Sequence, residues 1–226
     1  MPEPLRVVVL VSGTGTNLRA LAEATDGGWC EAEIVAVLAD RRGAGALAWA
    51  QERGLPTGAV RPRDYPDRPS WDAALADAIG EHDPGLVVSA GFMRLVGGAV
   101  LARFGGRVIN VHPSLLPAFP GLDAAGQAVR AGVRVAGCTV HLVDAGVDTG
   151  PILAQAAVPV RPDDDGPSLH ARIQREEHRL LPRVVHWIAT GALALGPPPR
   201  VLGPLAFDGR ALRVPTAAEP ASEADC

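Results

Sequence analysis

The chain's first long apolar run, Leu5 to Val11, carries straight into Ser12-Gly13-Thr14-Gly15-Thr16-Asn17, and then into Leu18, Leu21 and Ala22 at helical spacing. A run with so little polar alternation is the pattern of a central parallel strand covered on both faces. The same pattern returns at Ile34–Ala39, Leu86–Ala90 and Val108–Val111, with helical stretches at Ala44–Arg53, Ser70–Ile79 and Gly97–Phe104 between the runs. Ser70 reads as the N-cap of the second of these, and Val60–Pro69 as a surface loop. The expectation is an α/β, Rossmann-like fold with an N-terminal parallel sheet flanked by helices. Strand, Gly-rich turn and helix start together form an anion-binding arrangement, because the turn's N–H groups and the helix N-terminus aim at one spot. A tight turn with no ligand gives the same signal. The third glycine of a dinucleotide fingerprint is missing, since Gly13 and Gly15 are followed by Thr16, Asn17 and Leu18, so a small phosphate fits better.

Farther on, Val135–Val143 and Ile152–Val160 read as strands. The second is expected to be antiparallel because no crossover helix precedes it. The longest helix is expected to start at Ser168 and to carry Leu169, Ile173, Leu180, Val184 and Ile188 in one stripe. Short strands are expected near Val201-Leu202 and Leu205–Phe207, with a disordered tail at 215–226. Residues 1–214 read as a single domain, with a phosphate-binding half at about 1–106 and a second half at about 107–214. Asp40-Arg41-Arg42 reads as a solvated loop.

Composition narrows the chemistry. All 21 basic side chains counted as Lys+Arg are Arg. Without a lysine, neither a Walker-type phosphate loop nor a Schiff-base enzyme can be built. A net charge of -4 gives no electrostatic reason to expect nucleic acid or a membrane surface. There is no run of 18 apolar residues and no export signal, so the expected compartment is the cytoplasm. Cys30, Cys138 and Cys226 are odd in number and far apart, which argues against a disulfide framework and a zinc site, and no metal is expected.

The stretch Val108 to Pro117 is the chemical centre. Pro113 ends the strand because it has no N–H for the ladder. Asn110 and His112 are two apart, so on an extended segment they share a side, at a strand end where open α/β sheets bind ligands. A buried Asn or His taken alone is more often a satisfied structural group. Asn110-x-His112-x-Ser114-Leu115-Leu116-Pro117 followed by Asp148-Thr149-Gly150-Pro151-Ile152-Leu153 resembles the folate-dependent formyltransferases. Ser12–Asn17, Ala90-Gly91-Phe92-Met93-Arg94 and Gln174-x-x-Glu177-His178 match further motifs of that family in the same order.

The resemblance implies transfer of a formyl group from 10-formyltetrahydrofolate to the amine of phosphoribosylglycinamide, on a formyltransferase fold with C-terminal antiparallel strands and a long helix. It implies Asn110, His112 and Asp148 as the catalytic trio, Gly15, Thr16, Asn17 and Glu177 as substrate contacts, and Arg68, Met93, Arg94, Leu95, Val96 and Asn110 as folate contacts. Arg68 matches by spacing only. The implied partners are small molecules, for a monomer or a homodimer. Relatives acting on methionyl-tRNA or hydrolysing the folate carry further domains that 226 residues do not accommodate. The chemistry suits the trio: attack on a formyl carbon builds negative charge on oxygen, which Asn110 and a protonated His112 can meet, and Asp148 favours the imidazolium. One departure stands out. The family commonly has His in Gly-x-His-Ala, whereas Gly121-Leu122-Asp123-Ala124 has Asp, which reads as a helix N-cap. His141 fits a site-lining and a core role equally. The rivals are a hydrolase passing the formyl group to water, transfer to another amine, and a nucleotide-binding module without catalysis.

Overall fold

The computed structural model describes residues 3–195 and 199–201, and the backbone of two short strands at 206–207 and 212–213. The tail expected at 215–226 lies outside the described residues, as does Leu202. A seven-stranded sheet in the order β3-β2-β1-β4-β5-β6-β7 forms the middle layer. Its strands are β1 Leu5–Val11, β2 Ala32–Ala39, β3 Thr57–Ala59, β4 Leu86–Ser89, β5 Val108–His112, β6 Val135–Leu142 and β7 Ile152–Pro159. The first five are parallel, while β6 runs antiparallel to β5 and β7 antiparallel to β6. The fold class is thus the mixed α/β arrangement the apolar runs imply.

Among the described residues six helices cover the sheet: α1 Thr16–Asp26, α2 Gly45–Glu52, α3 Arg68–Gly80, α4 Gly98–Phe104, α5 Ala124–Ala131 and α6 Gly166–Ala189. Strand β1 shows why its run has no polar alternation. Val7, Val9 and Val11 pack with α1, α2, α5 and α6 on one face, and Val8 and Leu10 pack with α3 and α4 on the other. Direction explains the split: β1-α1-β2-α2-β3 winds one way, and right-handed crossovers put its helices on one face until α3 carries the chain back to β4. Leu18, Leu21, Leu169 and Ile173 are fully buried between α1, α6 and the sheet. Each contributes roughly 1.5–3 kcal/mol through burial.

Two expected helix starts move toward the N-terminus, from a Ser70 cap to an Asp67 cap and from Ser168 to Gly166, for a shared reason. In Asp67-Arg68-Pro69-Ser70 the cap is Asp67, whose carboxylate accepts from the Ser70 N–H at 2.8 Å, so α3 begins at Arg68. The preceding stretch is not all loop, since Pro62–Asp64 forms a 3-10 turn. In Asp165-Gly166-Pro167-Ser168, Asp165 and Ser168 form a reciprocal capping box and α6 begins at Gly166. Asp123 occupies the cap position of α5 with φ 55, but its side chain makes no capping hydrogen bond and runs along the helix flank to Arg130 of the same helix at 3.0 Å. The C-terminal region adds short strands Leu193–Ala194, Arg200–Val201, Ala206–Phe207 and Leu212–Arg213.

Candidate active site

The site is organised by register. Leu10 pairs with Ser89 and Ser89 with Asn110, so the exits of β1, β4 and β5 stand side by side. Adjacent strands are spaced by about 4.8 Å, which puts the β1 and β5 exits about 10 Å apart, within reach of one small molecule. The strand order also reverses between β1 and β4, where open α/β sheets open a crevice for ligands.

At the β1 exit, Gly15 is the N-cap residue of α1 with φ 79. A Cβ there would stand 2.6 Å from the Ala46 Cβ, so conformation and space both demand glycine. No side chain caps α1. Two residues one turn apart on α6 hold its first turn: Gln174 donates to the Thr16 hydroxyl at 3.2 Å, and the Glu177 carboxylate accepts from the Asn17 amide at 3.1 Å. Glu177 is almost fully buried, and burial pushes its pKa from 4.5 up to about 7, with the Asn17 hydrogen bond opposing the rise. The Asn17 Oδ1 is buried without a donor. A hydroxyl or amine of a bound molecule would complete it.

At the β4 exit, Gly91 with φ 75 turns the chain into the segment 92–97. Phe92 goes into the core and stacks on Trp71, whereas Met93 and Leu95 leave 66% and 57% of their surface in solvent. Nothing in the core holds those two apolar side chains outward; the backbone does. The Met93 N–H donates to the Ser12 hydroxyl at 2.9 Å, Arg68 donates to the Leu95 carbonyl, and the buried Asp72 carboxylate accepts from the Gly97 and Ala99 N–H groups at 2.9 and 2.6 Å. Arg68 lies over the Trp71 ring with its guanidinium carbon 4.6 Å from the centroid. Val96, half-buried, packs against the α3–α4 core.

At the β5 exit, His112 meets Asp148 from the loop before β7, and Asn110 stands beside His141, whose Nε2 is 3.7 Å from Asp148 Oδ1. His112 Nε2 donates to the Phe119 carbonyl at 3.0 Å, and its Nδ1 stands 3.3 Å from Asp148 Oδ2. Both neighbours are acceptors, so the ring satisfies both when it carries two protons. The Gly121 N–H donates to the same Asp148 oxygen at 2.8 Å and fixes the carboxylate's direction. Asp148 has φ 54, a left-handed conformation that Asp tolerates better than most residues.

The trio has supports with no motif of their own in the sequence. His141 pairs with Asn110 across β5 and β6, and its Nδ1 donates to the Leu142 carbonyl at 2.9 Å. Burial holds its pKa below the ordinary value, and with Nδ1 donating to a carbonyl, Nε2 stands as the acceptor for the Asn110 amide at 3.2 Å. That contact aims the Asn110 side chain and leaves its second N–H to a ligand. His141 is therefore both buried and part of the site. The fully buried Thr139 hydroxyl donates to the Ser114 carbonyl at 2.7 Å, and accepts from the Leu116 N–H and the Gln155 amide, each at 3.0 Å. It ties the turn after His112 to β6 and β7. Asp123 contributes nothing to this cluster. Asp40 departs from the solvated-loop expectation: it is buried and accepts from Arg94 Nε at 2.9 Å.

The structure thus brings Asn110, His112 and Asp148 together, with Asn17 and Glu177 joined beside the turn at Gly15 and Thr16. Arg68, Met93, Arg94, Leu95 and Val96 lie on the neighbouring segment. Among the described residues no group of three or more His, Cys, Asp or Glu side chains is arranged to hold a metal ion, and no helix is long and apolar enough to cross a membrane.

Phosphoribosylglycinamide formyltransferase of Mycobacterium tuberculosis is 52% identical over 187 residues, covering 83% of this chain and 86% of that protein. The enzyme of the same name from Bacillus subtilis is 39% identical over 180 residues, 80% of this chain and 92% of its own. The crystal structure of glycinamide ribonucleotide transformylase 1 from Symbiobacterium toebii superposes with a TM-score of 0.86 at 45% identity, covering 89% of this chain and 96% of that one. The formyl transferase family matches residues 5–185, a span that runs from the first strand through the Gly-rich turn, the Asn110–His112 strand end and Asp148 to most of α6. By that span and those identities, the chain belongs to the formyl transferase family.

Proposed function

We infer that the protein transfers the formyl group of 10-formyltetrahydrofolate to the amine of phosphoribosylglycinamide, a step of purine biosynthesis, as a small-molecule enzyme of the cytoplasm without nucleic acid as partner. The observation that carries this reading is the convergence of Asn110, His112 and Asp148 at one strand end, in a chain about half identical to an enzyme of that name. The fit of the two small molecules rests on separate features. The uncapped α1 N-terminus at Gly15, Thr16 and Asn17 suits a phosphate, and the orphan Asn17 Oδ1 beside Glu177 suits a donor on the same molecule. Exposed Met93 and Leu95, held outward on a braced backbone, offer a flat apolar wall to a pterin-like ring, and Arg68 and Arg94 offer positive charge near it.

The folate supplies an electrophilic formyl carbon. Asn110 donates its free amide N–H to the formyl oxygen as negative charge builds there, with His141 fixing the amide's orientation. His112 as imidazolium gives up its Phe119 carbonyl contact and donates from Nε2 to the same region. Asp148 stabilises that charge through Nδ1 and, as the amine adds to the formyl carbon, takes the proton the amine must lose, directly or through water. The adduct then collapses by breaking the bond from the formyl carbon to the folate nitrogen, and the proton passes to that nitrogen, giving the formylated amine and tetrahydrofolate. The test follows the carbon: with a 13C-labelled formyl group, NMR should show the label in formylglycinamide ribonucleotide. Label appearing as formate at equal rate without the amine would make the protein a hydrolase instead.

A further inference from the structure

We propose that Asp40 is a positioning residue for the co-substrate side of this site, acting through Arg94. Asp40 follows β2 and Arg94 follows β4, and the two strands are not neighbours: β1 lies between them. The ion pair therefore passes across the exit of β1. It joins the loop before α2 to the segment that displays Met93 and Leu95. The next residue strengthens the span, since Arg41 Nε donates to the Ser12 carbonyl while the Ser12 hydroxyl receives the Met93 N–H.

The pair is asymmetric. The Asp40 side chain is 5% exposed and that of Arg94 is 50% exposed, so the carboxylate is a fixed buried anchor and the guanidinium reaches from it into solvent. Asp40 takes Arg94 at Nε, the nitrogen nearest the stem. That restrains the guanidinium from its stem side, and among the described residues the terminal NH2 groups take no hydrogen bond, so the end-on fork that binds carboxylates stays available. The other restraints on the segment, from Ser12, Arg68 and Asp72, all hold backbone atoms. Asp40 differs in setting a side chain. An acid at the end of β2 would read ribose hydroxyls in a dinucleotide-binding domain. Here one of its oxygens is committed to Arg94 and the other is buried without a partner among the described residues, so the carboxylate faces the guanidinium rather than a ligand hydroxyl in solvent.

The inference rests on the proposed binding of folate at this segment, and the experiment separates the two. Tetrahydrofolate is titrated calorimetrically into wild type, Asp40→Asn, Asp40→Ala, Arg94→Gln and Asp40→Ala/Arg94→Gln, and steady-state constants are measured for both substrates. Asp40→Ala should raise the folate KM and Kd by about tenfold, the scale of a lost charge-assisted hydrogen bond. The amine KM and kcat should stay within about twofold. Asp40→Asn, which keeps an acceptor for Nε–H, should recover part of the loss, and the double variant should bind no worse than Arg94→Gln. Additive losses, equal losses in kcat and amine KM, or variants indistinguishable from wild type would each overturn the role of Asp40. Failure of wild type itself to bind tetrahydrofolate would instead refute the functional reading.

Discussion

Glu177 carries a charge-burial cost that pH should expose. It is buried on α6, accepts one hydrogen bond from Asn17, and has its pKa pushed by burial from 4.5 up to about 7. The folded protein holds this proton more tightly than the unfolded chain does. Its contribution to stability is therefore fully present below pH 4.5 and is lost as pH rises through about 7. At about 1.4 kcal/mol per pH unit, that displacement is worth about 3 kcal/mol once the group is ionised in both states. Glu177→Gln keeps an oxygen for the Asn17 amide and removes the titration. Urea denaturation of both proteins should show the variant gaining on wild type by under about 1 kcal/mol at pH 5 and by about 3 kcal/mol at pH 8.5. Any constant offset from repacking cancels in that difference. Stability curves that run parallel within about 0.5 kcal/mol over this range would refute the argument, because Glu177 would then not resist ionisation.

Three further outcomes follow from the geometry. Asn110→Ala should lower kcat by about 10²- to 10³-fold with both KM values little changed, because its donor acts on charge present in the transition state; a KM effect alone would contradict this. Thr139→Val removes the hydroxyl that serves Ser114, Leu116 and Gln155 in a fully buried position, and should cost roughly 2–4 kcal/mol in denaturant titration, whereas a cost below about 1 kcal/mol would mean the turn is held elsewhere. Gly15→Ala meets both a φ of 79 and the Ala46 side chain, and should raise the amine-substrate KM well above any change in the folate KM.

Much of the architecture was legible because burial on both faces leaves a plain signature. β1, β4 and β5 lie within one residue of their apolar runs, and the spacing of Asn110 and His112 anticipates their shared side. The two misplaced helix starts show a limit of cap preference. Asp-x-Pro-Ser offers two good caps, and the proline decides: it belongs in the first turn, so the cap lies two residues before it. Asp40 was not legible as buried, because its partner Arg94 lies 54 residues away and the strand between them leaves no periodic trace. His141 acquires its role from the β5–β6 register, which places it opposite Asn110; an alternating strand pattern fixes the side a residue faces, not its neighbour. Asp123 shows the converse, since a residue in the right cap position with left-handed backbone leaves the helix N–H groups uncapped and lays its carboxylate along the flank of the same helix, past Gly126 to Arg130.

The proposed amine-dependent transfer requires His112 to act with Asp148. The direct measurement is the rate of tetrahydrofolate release from 10-formyltetrahydrofolate, with and without phosphoribosylglycinamide, on wild type and His112→Ala. The expected result is release that requires the amine and falls by about 10³-fold or more in the variant, with binding of both substrates retained. Release that proceeds equally without the amine, or a variant that keeps wild-type turnover, would contradict it.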